Sequence, residues 1–453
     1  MKQRIPIWAV GALVAGVVLV GAILARFAYL DLTAISVHRG ESDEGSAVAA
    51  SAAEQRTLGQ ANPGFLYGRV VTDGGGTYEG RLRFGGDQEA FWGDYFNGTK
   101  TDNPWAAQVR PGQLPDDRRP FEIFGFAVGP RPRTLSRPFM ARFGDIARIE
   151  AERYLVRVTL KSGTVFNLDR LEASDFDDGV RVWDAQRGVV DIADRKIRTI
   201  DLLPTARLVS APGRLYGTVR TPRGAFTGSV QWNRQACLVS DTLDGRTGDE
   251  KRRVRFDTIR SIARETADSS RVTLVDGREI VLSGSQDVGR GNRGVYVDDP
   301  RYGRVLITWD AFERVDVTRG PSGPAYRDFP EGRQLSGSVS TLDGRRLAGR
   351  LVYDLDESET TDTLDAPARG VDYTIPFGLV AAIARPAAGE GDATVTLQGG
   401  EVLALESAGD LGPDNGGVLV FVNPSSQPEY VPWRDVKALA FDRPPAMYPP
   451  FGG

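Results

Sequence analysis

The sequence has 453 residues and a formal net charge of −4, so it exceeds one ordinary core and predicts about two to four domains. The nearly neutral charge provides no field that would attract a polyanion, which argues against nucleic acid as a partner. The single cysteine, Cys237, excludes an internal disulfide framework. The single histidine, His38, lies outside the repeats described below, which excludes histidine-dependent nucleophiles and the usual zinc sites there.

An apolar run without a charge occupies residues 5–25 and follows Lys2 and Arg4. The run is long enough to cross a bilayer core as a helix, whereas a secretory signal peptide has a shorter apolar region and a small-x-small cleavage site. The positive charges before the run place residues 1–4 in the cytoplasm. The sequence therefore predicts a single-pass membrane anchor, with the bulk of the chain outside the cytoplasm and in the periplasm if the cell is Gram-negative. A cleaved signal peptide is the alternative.

The composition changes after the anchor. Residues 26–62 are predicted to form a stalk, because residues 42–60 are rich in Ser, Ala, Glu and Gly and cannot bury enough apolar surface to fold alone. From residue 63 onward, alternating runs of β-branched and aromatic residues end at Gly and Asp turns, which predicts an all-β fold. The tail at 444–453 is rich in proline and is predicted to be extended.

Three tandem β-repeats are predicted at residues 63–208, 209–325 and 326–443. Each opens with a strand that carries a glycine, at Gly68, Gly217 and Gly337. An acidic turn follows in each, beginning at Asp94, Asp241 and Asp362. A Phe-x-x-Ile unit and a Val-Thr-Leu unit then follow in the same order in all three copies. The first copy also carries an inserted loop at 99–138, and a loop of that length is either functional or disordered.

Each repeat contains two similar halves, which suggests six units of about sixty residues, a size that can hold a small core. In each half, a strand closed by a Gly turn leads through further strands to a single-turn helix and a last strand. This order resembles the small SH3-like and Sm-like barrels, in which a short 3₁₀ turn separates the last strands. The resemblance implies a fold and no activity. A six-bladed β-propeller is the alternative, because radial repetition also protects sheet edges.

The acidic turns offer the carboxylate and carbonyl oxygens that Ca²⁺ prefers. Each copy supplies too few ligands in sequence, and the third has Ala366 where the others have glycine. An Asx turn, in which the side chain caps its own backbone, accounts for the same residues. The sequence therefore predicts no metal and no other cofactor.

Two tryptophans, Trp105 and Trp183, are the candidates for exposed ligand-binding platforms. Four further tryptophans lie in period-two strand patterns, which predict core packing; these are Trp92, Trp232, Trp309 and Trp433. An exposed indole can stack on a sugar. The lone cysteine, which has no counterpart in the other repeats, is predicted to be a small buried residue.

An acidic cluster lies beside Trp183 and consists of Asp175, Asp177, Asp178 and Asp184. Paired carboxylates suit glycoside hydrolysis, in which one acts as the acid and the other as a base or nucleophile. A solvated loop is the alternative interpretation. The sequence also has a basic run at 251–255, which could contact phosphate or an acidic partner and which alternatively forms the solvent face of a strand.

The leading prediction is a membrane-anchored, extracytoplasmic protein whose β-repeats act as a non-enzymatic scaffold or interaction module. It depends on the anchor, the stalk, the repeats and the lack of histidine in the folded part. Its partner would be a protein or an envelope glycan, besides the membrane that residues 5–25 enter. The alternative is a carbohydrate-binding or carboxylate-dependent glycan-acting protein, which requires Asp and Trp side chains to converge in one exposed concave site.

Overall fold

Strands dominate the structure, and the all-β class is confirmed. The computed structural model of the protein describes residues 63–85, 87–110, 113, 120–123, 126–130, 137–206, 213–386, 391–422 and 427–444. The predicted anchor and stalk, and most of the predicted tail, lie outside the described residues. Within those residues, no helix has the length and apolar character needed to span a bilayer.

We refer to residues 63–206, 213–318 and 335–444 as the first, second and third segments. The strands of the first segment are β1 (Tyr67–Thr72), β2 (Thr77–Phe84), β3 (Tyr95–Thr99), β4 (Pro120–Ile123), β5 (Phe126–Pro130), β6 (Pro138–Arg142), β7 (Ile146–Ala151), β8 (Leu155–Leu160), β9 (Val165–Asp169), β10 (Val180–Asp184), β11 (Gly188–Ile192) and β12 (Ile197–Leu202). Its short helices are α1 (Ser174–Asp177) and 3₁₀ turns at Ala106–Gln108, Phe143–Asp145 and Asp194–Lys196.

The second segment contains β13 (Tyr216–Thr221), β14 (Gly224–Gln231), β15 (Thr242–Thr247), β16 (Glu250–Arg255), β17 (Ile259–Thr266), β18 (Ser269–Leu274), β19 (Glu279–Ser283), β20 (Val295–Asp299), β21 (Gly303–Ile307) and β22 (Arg314–Thr318). The third contains β23 (Ser336–Thr341), β24 (Arg346–Tyr353), β25 (Thr363–Pro367), β26 (Val371–Pro376), β27 (Val380–Ala384), β28 (Ala393–Leu397), β29 (Val402–Leu405), β30 (Val418–Phe421), β31 (Glu429–Val431) and β32 (Val436–Phe441). Further 3₁₀ turns lie at Phe256–Thr258, Gln286–Val288, Tyr326–Asp328, Phe377–Leu379, Gly409–Leu411 and Trp433–Asp435.

The strand order is the same in the three large sheets. It reads β9-β8-β7-β12-β1-β2-β10-β11 in the first segment, β19-β18-β17-β22-β13-β14-β20-β21 in the second, and β29-β28-β27-β32-β23-β24-β30-β31 in the third. The second sheet continues through β26 and β25 at one end and through β15 and β16 at the other, which gives it twelve strands. None of these sheets closes on itself, so the barrels and the propeller remain hypotheses.

The strand that opens each segment pairs with the strand that ends it: β1 with β12, β13 with β22 and β23 with β32. The opening strand belongs to the first sequence half and the closing strand to the second. The two halves therefore share one sheet and do not follow one another as separate sheets. Pairing with the closing strand gives the opening strand a partner on both of its edges. If the first sequence half folded as a separate sheet, one edge of this strand would be exposed.

The repeated glycines lie opposite one another across the first hairpin, as the pairs Gly68–Gly80, Gly217–Gly228 and Gly337–Gly349. A Cβ atom on Gly80 would collide with the backbone oxygen of Trp183 on the neighbouring strand β10. The equivalent positions in the other two segments meet the same obstruction from a neighbouring strand. The glycine of the sequence motif is therefore required by close approach of backbones.

The largest core runs through the second and third segments together, and the first segment has a core of its own. Trp232 is buried against Phe256, Trp309 and Phe312, so its predicted place in the core is confirmed. The same holds for Trp92, Trp309, Trp433 and Cys237. The linker between the second and third segments packs on the first, where the Tyr326 hydroxyl donates to the carbonyl of Ile146 over 2.8 Å.

Candidate functional site

Trp105 lies in the inserted loop of the first segment, at the start of a single-turn helix. The side-chain oxygen of Asn103 accepts hydrogen bonds from the backbone N–H groups of Trp105 and Ala106, at 3.1 and 3.0 Å. This Asx cap fixes the helix turn and with it the indole. The ring packs edge-on against Phe421 of the third segment, with centroids 6.2 Å apart, so the insertion attaches the first segment to the third.

A cleft of about 360 Å³ opens at this junction. Its volume falls at the lower end of the range that accommodates small ligands. The third segment contributes Asp356 and Ser358 to the wall. The first segment contributes Lys100, Asn103, Trp105, Phe166 and Asn167, among others.

An ion pair between the two segments lies in the cleft wall. The Nζ atom of Lys100 is 2.8 Å from the Oδ1 atom of Asp356, and both side chains are buried. The same Nζ atom lies 5.0 Å from the ring centroid of Phe166, which places a cation on an aromatic face. A second contact joins the segments where Arg137 reaches Asp354 at 3.2 Å. Two ion pairs of this junction therefore join the first segment to the third.

Two amide atoms in the cleft wall lack a hydrogen-bond partner among the described residues. They are the Nδ2 donor of Asn103 and the Oδ1 acceptor of Asn167, and both are buried. A buried polar group without a partner costs free energy, so such groups in native proteins are normally satisfied by water or a ligand. The residues that line the cleft therefore contain one unsatisfied donor and one unsatisfied acceptor, both beneath the wall's surface and close to an indole.

The other predicted ligand residues lie elsewhere. Trp183 is on β10, partly buried, and the Arg81 guanidinium stacks 3.6 Å from its ring centroid. Asp177 and Asp178 are exposed at the end of α1. Asp175 is partly buried, and it accepts the backbone N–H and the side-chain amide of Asn97 at 2.7 and 2.6 Å. Of the predicted ligand residues, only Trp105 lines the cleft as the structure describes it.

Two of the four carboxylates that suggested hydrolysis, Asp175 and Asp184, already have structural partners. Burial raises the pKa of Asp175, whose carboxylate accepts the backbone N–H of Asn97 on β3. Asp184 accepts three backbone N–H groups, from Glu79, Gln186 and Arg187. Asp175 and Asp184 therefore do not form the pair of facing, accessible carboxylates that glycoside hydrolysis needs.

The three acidic turns are backbone caps. Asp94 accepts the N–H groups of Glu89 and Ala90, both at 2.8 Å. Asp241 accepts those of Cys237 and Leu238, and Asp362 accepts those of Ser358 and Glu359. In the described part of the chain, no group of three or more His, Cys, Asp or Glu side chains could hold a metal ion. The Asx interpretation therefore explains these residues.

The sequence pointed to Trp105 but not to its neighbours. Asn167 and Asp356 come from two separate segments, and no pattern in the chain brings them together. Comparison with known proteins adds no assignment, because no protein-family model, curated protein or solved structure matches the chain. The one signal that could have located the site is the length of the inserted loop, since long loops in compact domains often carry function.

Proposed function

We propose that the protein is a non-enzymatic interaction module, built from three tandem β-repeats, that binds a ligand in the cleft between the first and third segments. The observation that carries this proposal is the pair of unsatisfied amide atoms on Asn103 and Asn167 beside the half-buried Trp105. A bound ligand would satisfy the donor and the acceptor and cover the indole. Binding would also bridge the two segments.

A glycan is the ligand class that fits this wall best. Each sugar hydroxyl both donates and accepts a hydrogen bond, which matches one amide N–H and one amide oxygen. The apolar face of a pyranose packs on an indole. A carboxylate-dependent glycan-acting enzyme receives less support, because Asp175 and Asp184 hold backbone groups.

The repeat proposal draws support from the common strand order and from the glycine pairs at equivalent positions. Within each segment, the five strands β11-β10-β2-β1-β12 and their counterparts follow the order 4-3-2-1-5 of an SH3-like barrel, with a 3₁₀ turn before the last strand. We propose that each segment combines two such units whose strands interleave. The membrane anchor at residues 5–25 and a position outside the cytoplasm remain part of the proposal, and fractionation of cells with sequencing of the mature N-terminus tests them.

Calorimetric titration of the full chain in detergent with soluble peptidoglycan glycan strands tests the ligand class. We expect Trp105→Ala and Asn167→Ala each to weaken binding about tenfold or more, because each removes a stacking or hydrogen-bonding partner. Trp183→Ala is the matched control, since it removes a partly buried tryptophan outside the cleft and should leave binding unchanged. Equal losses in all three variants, or no binding by the wild-type chain, would contradict the proposal.

A further inference from the structure

Two outer strands, β11 in the first segment and β16 in the second, end their sheets and have no further partner strand in the described part of the chain. Their counterparts in the next segments, β21 and β26, pair with each other and join the second segment to the third. Within the described residues, this kind of edge is therefore covered at one junction, and the equivalent pair of edges has no partner strand.

The correspondence holds residue by residue along the first of these strands. Val190 on β11 lies opposite Val182 on β10, and Val305 on β21 lies opposite Val297 on β20. The next strand inward also has the same partner in both sheets. Val182 on β10 lies opposite Leu82 on β2, and Val297 on β20 lies opposite Val230 on β14. Val190 and Val305 are therefore equivalent positions.

The second pair of strands corresponds in the same way. The strands β15 and β25 each follow a capping aspartate, and their first residues lie opposite Arg255 and Pro376. Two residues further along each strand, Arg253 on β16 is equivalent to Thr374 on β26. Two residues beyond these, Lys251 is equivalent to Asp372. On β21, Arg304 lies opposite Thr374 and Leu306 lies opposite Asp372.

The residues of β11 that are equivalent to Arg304 and Leu306 are Val189 and Asp191. The same register would therefore place Val189 opposite Arg253, and Asp191 opposite Lys251.

Exposure distinguishes the covered edges from the uncovered ones. Alternate residues of β21 are buried, and four of the six residues of β26 are buried. On β11 only Ile192 is buried, and Val189 is 58% exposed. On β16 no residue is buried. An exposed edge with an apolar residue is a template for pairing with another chain.

Charge determines which partner fits. The strand β16 carries Lys251, Arg252 and Arg253 in succession, so two copies of it would repel each other across a ladder. The strand β11 carries Asp191, which pairs with Arg181 of its own sheet at 2.6 Å and would also face Lys251 in the register above. Opposite charges facing each other across an antiparallel pair are favourable, and like charges are unfavourable.

We propose that β11 of one copy pairs with β16 of a second copy of this chain, antiparallel and in the register of β21 and β26. The contact joins different surfaces of the two copies, so the association runs head to tail. The proposal does not depend on the ligand cleft. It assigns the basic run of the sequence to an interface.

Disulfide trapping between two variants tests the register. One preparation of the full chain carries Val189→Cys and the other Arg253→Cys, while the buried Cys237 is kept in both. After mixing in detergent and mild oxidation, we expect a dimer that neither preparation forms alone. A mixture with Arg252→Cys is the control, because neighbouring residues on a strand point to opposite faces. A dimer yield no higher than the control would overturn the proposal, and so would a disulfide that forms only within a chain carrying both cysteines.

A charge exchange provides the second test, measured as the association constant in sedimentation experiments. Asp191→Lys or Lys251→Asp alone should weaken association about three- to tenfold, because like charges then face each other. A chain that carries both substitutions restores opposite charges and should recover the wild-type constant. Single variants that associate as the wild type does, or a double variant that stays weak, would contradict the pairing.

Discussion

The junction between the second and third segments differs from the two junctions of the first segment. The second and third are joined by backbone pairing of β21 with β26, and one apolar core runs through both. The described strands of the first segment pair only among themselves. That segment is attached through side chains, including the Lys100–Asp356 ion pair and a contact of 3.5 Å between Arg304 and Asp94.

The difference indicates which segments unfold cooperatively and which junction can change its geometry. A shared core and a shared ladder make two segments unfold together, whereas contacts between buried charges depend on partner geometry and on protonation. The cleft lies at the junction of the first and third segments, which is held by side chains. A small shift of the first segment would therefore change the width of the cleft.

Trp232→Ala should destabilise the second and third segments together, by about 3–5 kcal/mol, because it empties a large site in their common core. Hydrogen exchange measured by mass spectrometry would then rise in both segments and stay unchanged in the first. Phe143→Ala is the matched variant in the core of the first segment, where Phe143 packs 4.7 Å from Phe84, and should accelerate exchange there alone. Exchange confined to the second segment after Trp232→Ala would show that the core is not shared.

Lys100→Met should cost about 3 kcal/mol at the junction of the first and third segments, because Asp356 is left buried without its cation. The double variant Lys100→Met with Asp356→Leu removes both charges and should recover most of the loss. Urea unfolding followed by exchange at residues 354–359 measures the effect. A double variant as unstable as the single one would show that the pair does not act through its charge.

The junction of the first and second segments should lose stability as the pH rises from about 4 to about 7. Burial and repulsion from Asp94 raise the pKa of Asp87 to about 7, and burial raises that of Asp298 to about 6 despite nearby arginines. The folded state then holds protons that the unfolded state has released above pH about 4, so the stabilisation present in acid is lost as these groups ionise.

The pH dependence is measured as the unfolding midpoint between pH 5 and 7. Asp87→Asn should flatten it, since the amide cannot ionise and still accepts a hydrogen bond from Gln231. Asp268→Asn is the control, because the hydrogen bonds from Arg290 lower the pKa of Asp268 and its ionisation falls below this window. A slope that Asp87→Asn leaves unchanged would exclude Asp87 as its source.

Trp105→Ala should have the smallest effect on stability, about 1 kcal/mol, because the indole is partly buried at the rim of a small apolar cluster, beside Phe421 and Arg350. The expected signature is a near-normal unfolding midpoint combined with loss of ligand binding. A loss of stability as large as that of Trp232→Ala would show that Trp105 is a core residue of the junction.

The fold class and the core tryptophans could be predicted because they are local patterns. Alternation in β14 places Val230 and Trp232 on one face, and close packing then buries that face. The capping role of Asp94 was also accessible, since Asx turns are made by neighbours in sequence. The pairing of each opening strand with the closing strand of the other sequence half could not be predicted. The sequence of one half does not reveal which strand covers its open edge.

The candidate site was accessible only in part. Trp105 stood out because it broke the strand pattern, whereas Asn167 and Asp356 lie within ordinary strand and turn patterns and meet Trp105 only through folding. Asp175 was misleading for the same reason: its partner Asn97 lies far away in the chain. Long-range pairing of polar side chains leaves no periodic trace in a sequence.

Hydrogen exchange of the full chain with and without peptidoglycan glycan strands tests whether the ligand binds between the first and third segments. The account predicts that the ligand slows exchange at residues 100–105 and 164–168 of the first segment and, at the same ligand concentration, at residues 356–358 of the third. Residues 180–184, which surround Trp183, should be unaffected. Protection centred on Trp183, or protection on one side of the cleft only, would contradict a ligand site between the two segments.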